Sequence, residues 1–202
     1  MVNVCILDYG SGNVNSVKNL LEFLKVKFIV SNKTEKIKKS SHIILPGVGA
    51  FQQSMKKLIK KVDIKILENE VLIKKKPFLG ICVGMQLLAD TGEEFGKHYG
   101  LGWISGKVIK LKSKVLPHIG WNDIKIKKKD EIFKNLGEKD FYFVNSYHFK
   151  VKEKKFIAAE TTYGNKFCSV VRKKNIIGVQ FHPEKSQYAG KKLIQNFLEI
   201  KQ

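Results

Sequence analysis

Arginine is almost missing from this chain: Arg172 is the one arginine among 38 basic residues. Acidic residues are also scarce, 18 in all, so the formal net charge reaches +20 at pH 7. An excess of that size points first to a polyanionic partner. The lack of arginine argues against one, because base edges and phosphates are recognised best by arginine's planar fork. The lysines are spread in short clusters, among them Lys36, Lys38 and Lys39, Lys74 to Lys76, and Lys127 to Lys129, as solvated faces and loops would spread them. No nucleic-acid-binding module accompanies the charge, and no nucleic acid is expected as a partner.

Cysteine is also in short supply. Cys5, Cys82 and Cys168 form an odd set without the C-x-x-C spacing of zinc or redox sites, so no metal or cofactor is called for. A reducing cytoplasm is the expected compartment. No apolar run approaches the roughly 20 residues that cross a bilayer, and no membrane association is expected. The N-terminal stretch, apolar but interrupted at once by Asp8, lacks the features of a leader and reads as a first strand. Linkers, low-complexity tracts and internal repeats are not seen. With 202 residues, 43% of them hydrophobic, the chain is expected to form a single domain over 1–202.

Strand and helix signals alternate through the first half. Val2 to Leu7 is a β-rich run that ends in the turn-forming Asp8-Tyr9-Gly10-Ser11-Gly12-Asn13, and Val14 to Leu24 then carries helical periodicity. Phe28 to Val30 and His42 to Leu45 read as further strands, Phe51 to Ile59 as an amphipathic helix, Phe78 to Ile81 as a buried strand and Met85 to Ala89 as a helix. Repeated strand–helix units predict an α/β fold with a mostly parallel central sheet between two helical layers. Beyond Leu101 come short alternating segments that predict strands, Lys107 to Leu111, Asp123 to Ile126, Phe141 to Val144, Phe156 to Glu160, Phe167 to Val171 and Ile176 to Phe181, and then a helix from about Gln187 to Ile200.

Gly80-Ile81-Cys82-Val83-Gly84 falls between a predicted strand and a predicted helix, with the spacing of a nucleophile elbow. The turn strains the backbone at its centre, and side chains at the two glycines would meet neighbouring backbone. A helix N-terminus favours thiolate, and the Val83 N–H is placed to donate to an oxyanion. The plainer alternative, a buried core cysteine, is the expected fate of Cys5 and Cys168.

A cysteine nucleophile needs a base, and the base needs an orienting acceptor. Phe181-His182-Pro183-Glu184 supplies both at the end of a predicted strand, the edge where ligand sites of such sheets gather and where Cys82 is also expected. His182 is the candidate base and Glu184 its orienter; a structural turn is the alternative. His42, His98, His118 and His148 are read as structural.

Gly-Ile-Cys-Val-Gly-Met-Gln around Cys82 and Phe-His-Pro-Glu-Lys-Ser around His182, in this order, resemble the class I, triad-type glutamine amidotransferases. Asp8 to Asn13, Leu45 to Phe51, Pro117 to Asn122 and Phe141 to Val144 are similar to stretches of the glutaminase subunits of imidazole glycerol phosphate synthases. The resemblance runs from Val2 to about Phe197. It implies a flavodoxin-like three-layer αβα domain with an added smaller antiparallel sheet. It also implies that Cys82 attacks the L-glutamine amide, that His182 shuttles the proton, and that Glu184 orients His182. Val48, Gly49 and Val83 would form the oxyanion hole; Gln86, four residues beyond Cys82 on one helical face, would hold the substrate together with Glu94, Ser146 and Tyr147. Asn13, Trp121, Tyr142 and Lys185 match positions near the partner, a (β/α)8 cyclase subunit joined as a heterodimer in histidine biosynthesis; Trp121 and Tyr142 read equally as core aromatics. Many members have histidine where this chain has Asn145. Rival readings are a paralogue supplying ammonia for surface-sugar amidination, a stand-alone cysteine hydrolase and a basic nucleic-acid-binding protein.

Overall fold

The computed structural model describes residues 2–10 and 13–201; Ser11 and Gly12 of the predicted turn lie outside that range. Strand β1 (Val4–Leu7) leads to helix α1 (Val14–Phe23), β2 (Phe28–Ser31), α2 (Thr34–Lys39), β3 (His42–Leu45) and α3 (Phe51–Lys61). After α4 (Ile64–Glu68) and one π-helical stretch (Asn69–Ile73) come β4 (Phe78–Ile81) and the one-turn α5 (Val83–Gln86). Strands β5 (Thr91–Gly92), β6 (His98–Tyr99), β7 (Gly106–Lys110), β8 (His118–Asp123), β9 (Lys125–Ile126), β10 (Asp140–Asn145), β11 (Tyr147–Val151), β12 (Ile157–Tyr163), β13 (Asn165–Lys173) and β14 (Ile176–Val179) follow, and α6 (Gln187–Glu199) ends the fold.

The main sheet has eight strands in the order β2-β1-β3-β4-β14-β13-β12-β9, the first five parallel and the last three antiparallel. Sequence explains the division. Strands β1, β3, β4 and β14 read VCIL, HIIL, FLGI and IIGV and are buried at every position, as strands covered on both faces must be. Chain direction across the sheet reverses between the β1–β2 and β2–β3 connections. Because crossovers are right-handed, that reversal puts α1 and α2 on opposite faces.

Two smaller sheets are added rather than one: an antiparallel ribbon, β8 with β10, and a mixed sheet ordered β11-β7-β5-β6 in which β5 and β7 are parallel. The segment read as one strand from Asp123 to Ile126 is the end of β8 and the start of β9, which belong to different sheets. The helix expected over Met85 to Ala89 is a single turn, Val83–Gln86, continued by hydrogen-bonded turns in which Leu88 and Ala89 donate to Met85 and Gln86. Beneath the ribbon Phe141 stacks on Phe181, with ring centroids 3.9 Å apart, and Phe143 meets Phe181 edge-on. Cys5 and Cys168 are buried in β1 and β13, where burial pushes the Cys5 thiol up to about 11 and the Cys168 thiol higher still.

Candidate active site

Three neighbouring parallel strands end together and each releases one part of the site. β3 runs into Pro46-Gly47-Val48-Gly49, β4 into Cys82, and β14 through Gln180 and Phe181 to His182; Ile81 and Val179 are register partners. Cys82 sits at the N-terminus of α5 with φ 53° and ψ −110°, a conformation that costs an ordinary side chain of order 1–3 kcal/mol. Packing explains why it persists. A Cβ on Gly84 would lie 2.0 Å from the Leu45 carbonyl oxygen, and one on Gly80 would lie 2.5 Å from the Gly84 oxygen. Close backbone approach, not a left-handed conformation, is therefore what the two glycines supply.

His182 is buried, and its Nδ1 donates to Glu184 Oε1 at 2.6 Å. It lines the same cavity as Cys82. Burial by itself lowers the imidazole's pKa. The neighbouring Cys82 sulfur, and after it the Glu184 carboxylate, overcome that loss and hold His182 up at about 10. The His182 N–H donates to the Tyr142 carbonyl (2.9 Å), and Ser186 Oγ bridges the His182 carbonyl (2.6 Å) and the Tyr142 N–H (2.9 Å), tying the turn to β10.

An open cavity of about 290 Å³ is lined by Cys82, His182, Gln86, Glu94, Val48, Gly49, Val83, Ser146, Tyr147 and Lys185, with Pro117, Val144 and Asn145. The structure thus gathers all the residues expected for the triad, oxyanion hole and substrate, save that Glu184 lies behind His182. Several are already engaged. Gln86 Nε2 donates to the Tyr147 carbonyl (3.0 Å), and Glu94 Oε2 accepts the Phe51 N–H (2.8 Å), capping α3. The Val83 N–H donates to the Gly47 carbonyl at 3.3 Å, so in this conformation the loop after β3 occupies the donor expected to face an oxyanion.

Asn13 is placed differently from expectation. It is 4% exposed, and its Nδ2 donates to Glu184 Oε1 and lies 3.3 Å from His182 Nδ1, so it braces the acid instead of presenting a surface. The sequence put it beside a turn, with no indication that the chain folds back onto Glu184. Trp121, by contrast, is 49% exposed on the β8–β10 ribbon beside Ile119, and its ring meets Tyr142 edge-on, so it is not a core residue. Lys185 Nζ lies 6.0 Å from the Tyr142 ring centroid.

Sequence reasoning passed over Gln180, which is fully buried; its Nε2 lies 3.7 Å from Cys82 Sγ and its Oε1 accepts from Gln86 Nε2 at 3.0 Å. Its signal was one amide inside the otherwise apolar run Ile176 to Phe181. The remaining histidines are structural: His42 bonds Ser41 and the Ile200 carbonyl, His98 the Phe95 carbonyl, and His118 stacks between Phe143 and Tyr163. Burial pushes His148 down to about 4.

A cysteine on a strained strand-to-helix turn, beside a charged histidine held by a carboxylate, at the carboxyl edge of a mostly parallel sheet, defines a thiol-dependent acyl-transfer enzyme. The chain belongs to the class-I glutamine amidotransferase family, whose model matches residues 5–200. Within it, the chain is similar to "Imidazole glycerol phosphate synthase subunit HisH 2" of Methanococcus maripaludis, 45% identical with 97% of this chain and 98% of the relative covered. It is also similar to subunit HisH of Pelagibacter ubique, 44% identical with 98% and 100% covered, and to subunit HisH 1 of Campylobacter jejuni, 42% identical with 98% and 100% covered. Among solved structures, a chain of "PurLQS from Thermotoga maritima" shares the fold, with a TM-score of 0.77 at 18% identity over 98% of this chain and 97% of that one.

Proposed function

We propose that the chain is the glutaminase subunit of an imidazole glycerol phosphate synthase, acting in the cytoplasm. Family membership and full-length similarity to HisH subunits support this reading, and support the histidine pathway over surface-sugar amidination. The single observation that carries the chemistry is that Cys82, on its strained turn, lines one cavity with His182, whose Nδ1 is bonded to Glu184. Glutamine enters the cavity with its amide carbon toward Cys82 Sγ. Gln86, Glu94, Ser146 and Tyr147 hold its amino-acid end. Sulfur attacks the carbon, the carbon–nitrogen bond breaks, and His182 gives its proton to the departing nitrogen, which leaves as ammonia. Water activated by the now neutral His182 cleaves the γ-glutamyl thioester, releasing glutamate and restoring the proton to the imidazole.

Ammonia released into water would be protonated and lose its nucleophilicity, so the product is delivered through a docked (β/α)8 cyclase subunit. That partner uses it to make imidazole glycerol phosphate and aminoimidazole carboxamide ribotide. Trp121, Tyr142 and Lys185 fit the docking face. Docking at the ribbon has a direct route to the site, since Tyr142 holds the His182 backbone. Steady-state glutamine hydrolysis with the cognate cyclase present tests the assignment: Cys82→Ser is expected to lower kcat by about 10⁴ or more, and retained activity would overturn it.

A further inference from the structure

Three side-chain amides, of which the mechanism uses only Gln86, are linked beneath the nucleophile. Gln180 reaches Cys82 Sγ, Gln86 reaches Gln180, and Asn145 and Gln86 both reach the Tyr147 carbonyl. Their polarity follows from one fixed point. A backbone carbonyl can only accept, so the Gln86 atom 3.0 Å from Tyr147 is the amide nitrogen. That same nitrogen is 3.0 Å from Gln180, which must present its oxygen there. The remaining terminal atom of Gln180, 3.7 Å from the sulfur, is consequently the NH₂ group.

A buried amide costs free energy unless its hydrogen bonds are made, and a leucine or methionine would fill the same space without that cost. Gln180 is 0% exposed at the end of a strand whose residues are all apolar and buried, so the amide is there for what it touches. At one end it touches the reacting sulfur. At the other it touches Gln86, which lines the cavity.

We infer that Gln180 is a positioning residue that holds the Cys82 sulfur by an N–H donor while fixing Gln86, with the Tyr147 carbonyl setting the sense of the whole chain. An N–H pointed at sulfur stabilises the thiolate more than the thiol, whose sulfur is only a weak acceptor and whose own proton goes elsewhere; Val144 O, 3.9 Å from Sγ, is the acceptor present for it. Neutralising or reversing the donor therefore makes the sulfur harder to ionise.

The inference rests on the proposed role of Cys82, and the test separates the two. Iodoacetamide alkylation of the full chain is followed by peptide mapping as a function of pH, so that Cys82 is read apart from the buried Cys5 and Cys168. Gln180→Met, which keeps volume but loses the donor, is expected to move the alkylation midpoint of Cys82 alkaline by about one pH unit, the size of a lost charge-assisted hydrogen bond. Gln180→Glu, which keeps an acceptor for Gln86 but sets a carboxylate beside the sulfur, is expected to move it further. Packing alone would alter melting temperature without ordering the two variants this way. Folded variants with the wild-type profile would overturn the inference. If neither variant folds, ¹⁵N-labelled wild type decides: the Gln180 side-chain amide signals are expected to shift as Cys82 ionises, and unmoved signals would equally overturn it. A wild-type Cys82 no more reactive than free cysteine at neutral pH would instead count against the proposed function.

Discussion

Residue types alone do not distinguish Cys82 from Cys5 or Cys168; surroundings do. All three are buried in the free chain, yet only Cys82 carries a strained backbone and lines a cavity with His182. The charged imidazole has a consequence for stability. His182 has its ordinary value of 6.5 when unfolded and about 10 when folded, so the folded state binds the proton more tightly. Its contribution is complete below pH 6.5, shrinks between there and about 10, and is absent above. Denaturant unfolding across that range should show wild type losing stability with rising pH more steeply than Glu184→Gln, which lacks the carboxylate that helps hold the proton. Identical slopes would show that the carboxylate does not support the imidazolium. Cys82, His182 and Glu184 were legible in sequence because each sits in a short motif of its own, the glycine-flanked turn and the His-Pro-Glu run. Asn13 and Gln180 were not, because one meets Glu184 across 171 positions and the other meets Gln86 across 94.

Among the elements, the junction of β4 and α5 is the least forgiving. Gly84 rests against the Leu45 carbonyl, so Gly84→Ala must push α5 off β3. Overpacking of that kind costs roughly 1–3 kcal/mol. Chemical denaturation should find that loss, together with slower Cys82 alkylation; an unperturbed variant would mean the turn has slack. The loop after β3 is the second sensitive element. With the Val83 N–H given to the Gly47 carbonyl, an oxyanion has one donor fewer, and a missing donor can cost about 10² in kcat. Glutamine hydrolysis by the chain alone should accordingly be slow and should rise by about that factor with the cyclase and its nucleotide bound. Equal rates would remove the loop from the explanation. The parallel strands were readable as continuous apolar runs, and α1, α3 and α6 as amphipathic periods. The mixed sheet and the far edge of the main sheet were harder, since β5, β6 and β9 are two residues each and leave too short a pattern to read.

For the whole molecule, the feature that stood out in composition is the one that contributes least to the site. Lysine-rich faces give a net charge of +20, but most lysine ion pairs among the described residues are exposed and weak, and the enclosed lysine pair, Lys76 with Glu70, lies in the scaffold beside the Ile37 and Lys38 carbonyls. Like charges at that density repel and disfavour the compact state, and salt screens them within roughly 10 Å at 0.1 M. Melting temperature should thus rise as sodium chloride is raised from low to physiological strength. A flat or falling trend would show that local pairing already offsets the repulsion. No helix among the described residues is long and apolar enough to cross a membrane.

The chain has two tryptophans with opposite surroundings: Trp103, 3% exposed and edge-on to Phe78, and Trp121, half open on the β8–β10 ribbon. Its ultraviolet emission thus has one component that acrylamide can quench and one that it cannot, so a blue shift and loss of quenching on mixing with the cyclase would follow the ribbon alone, without any dye attached.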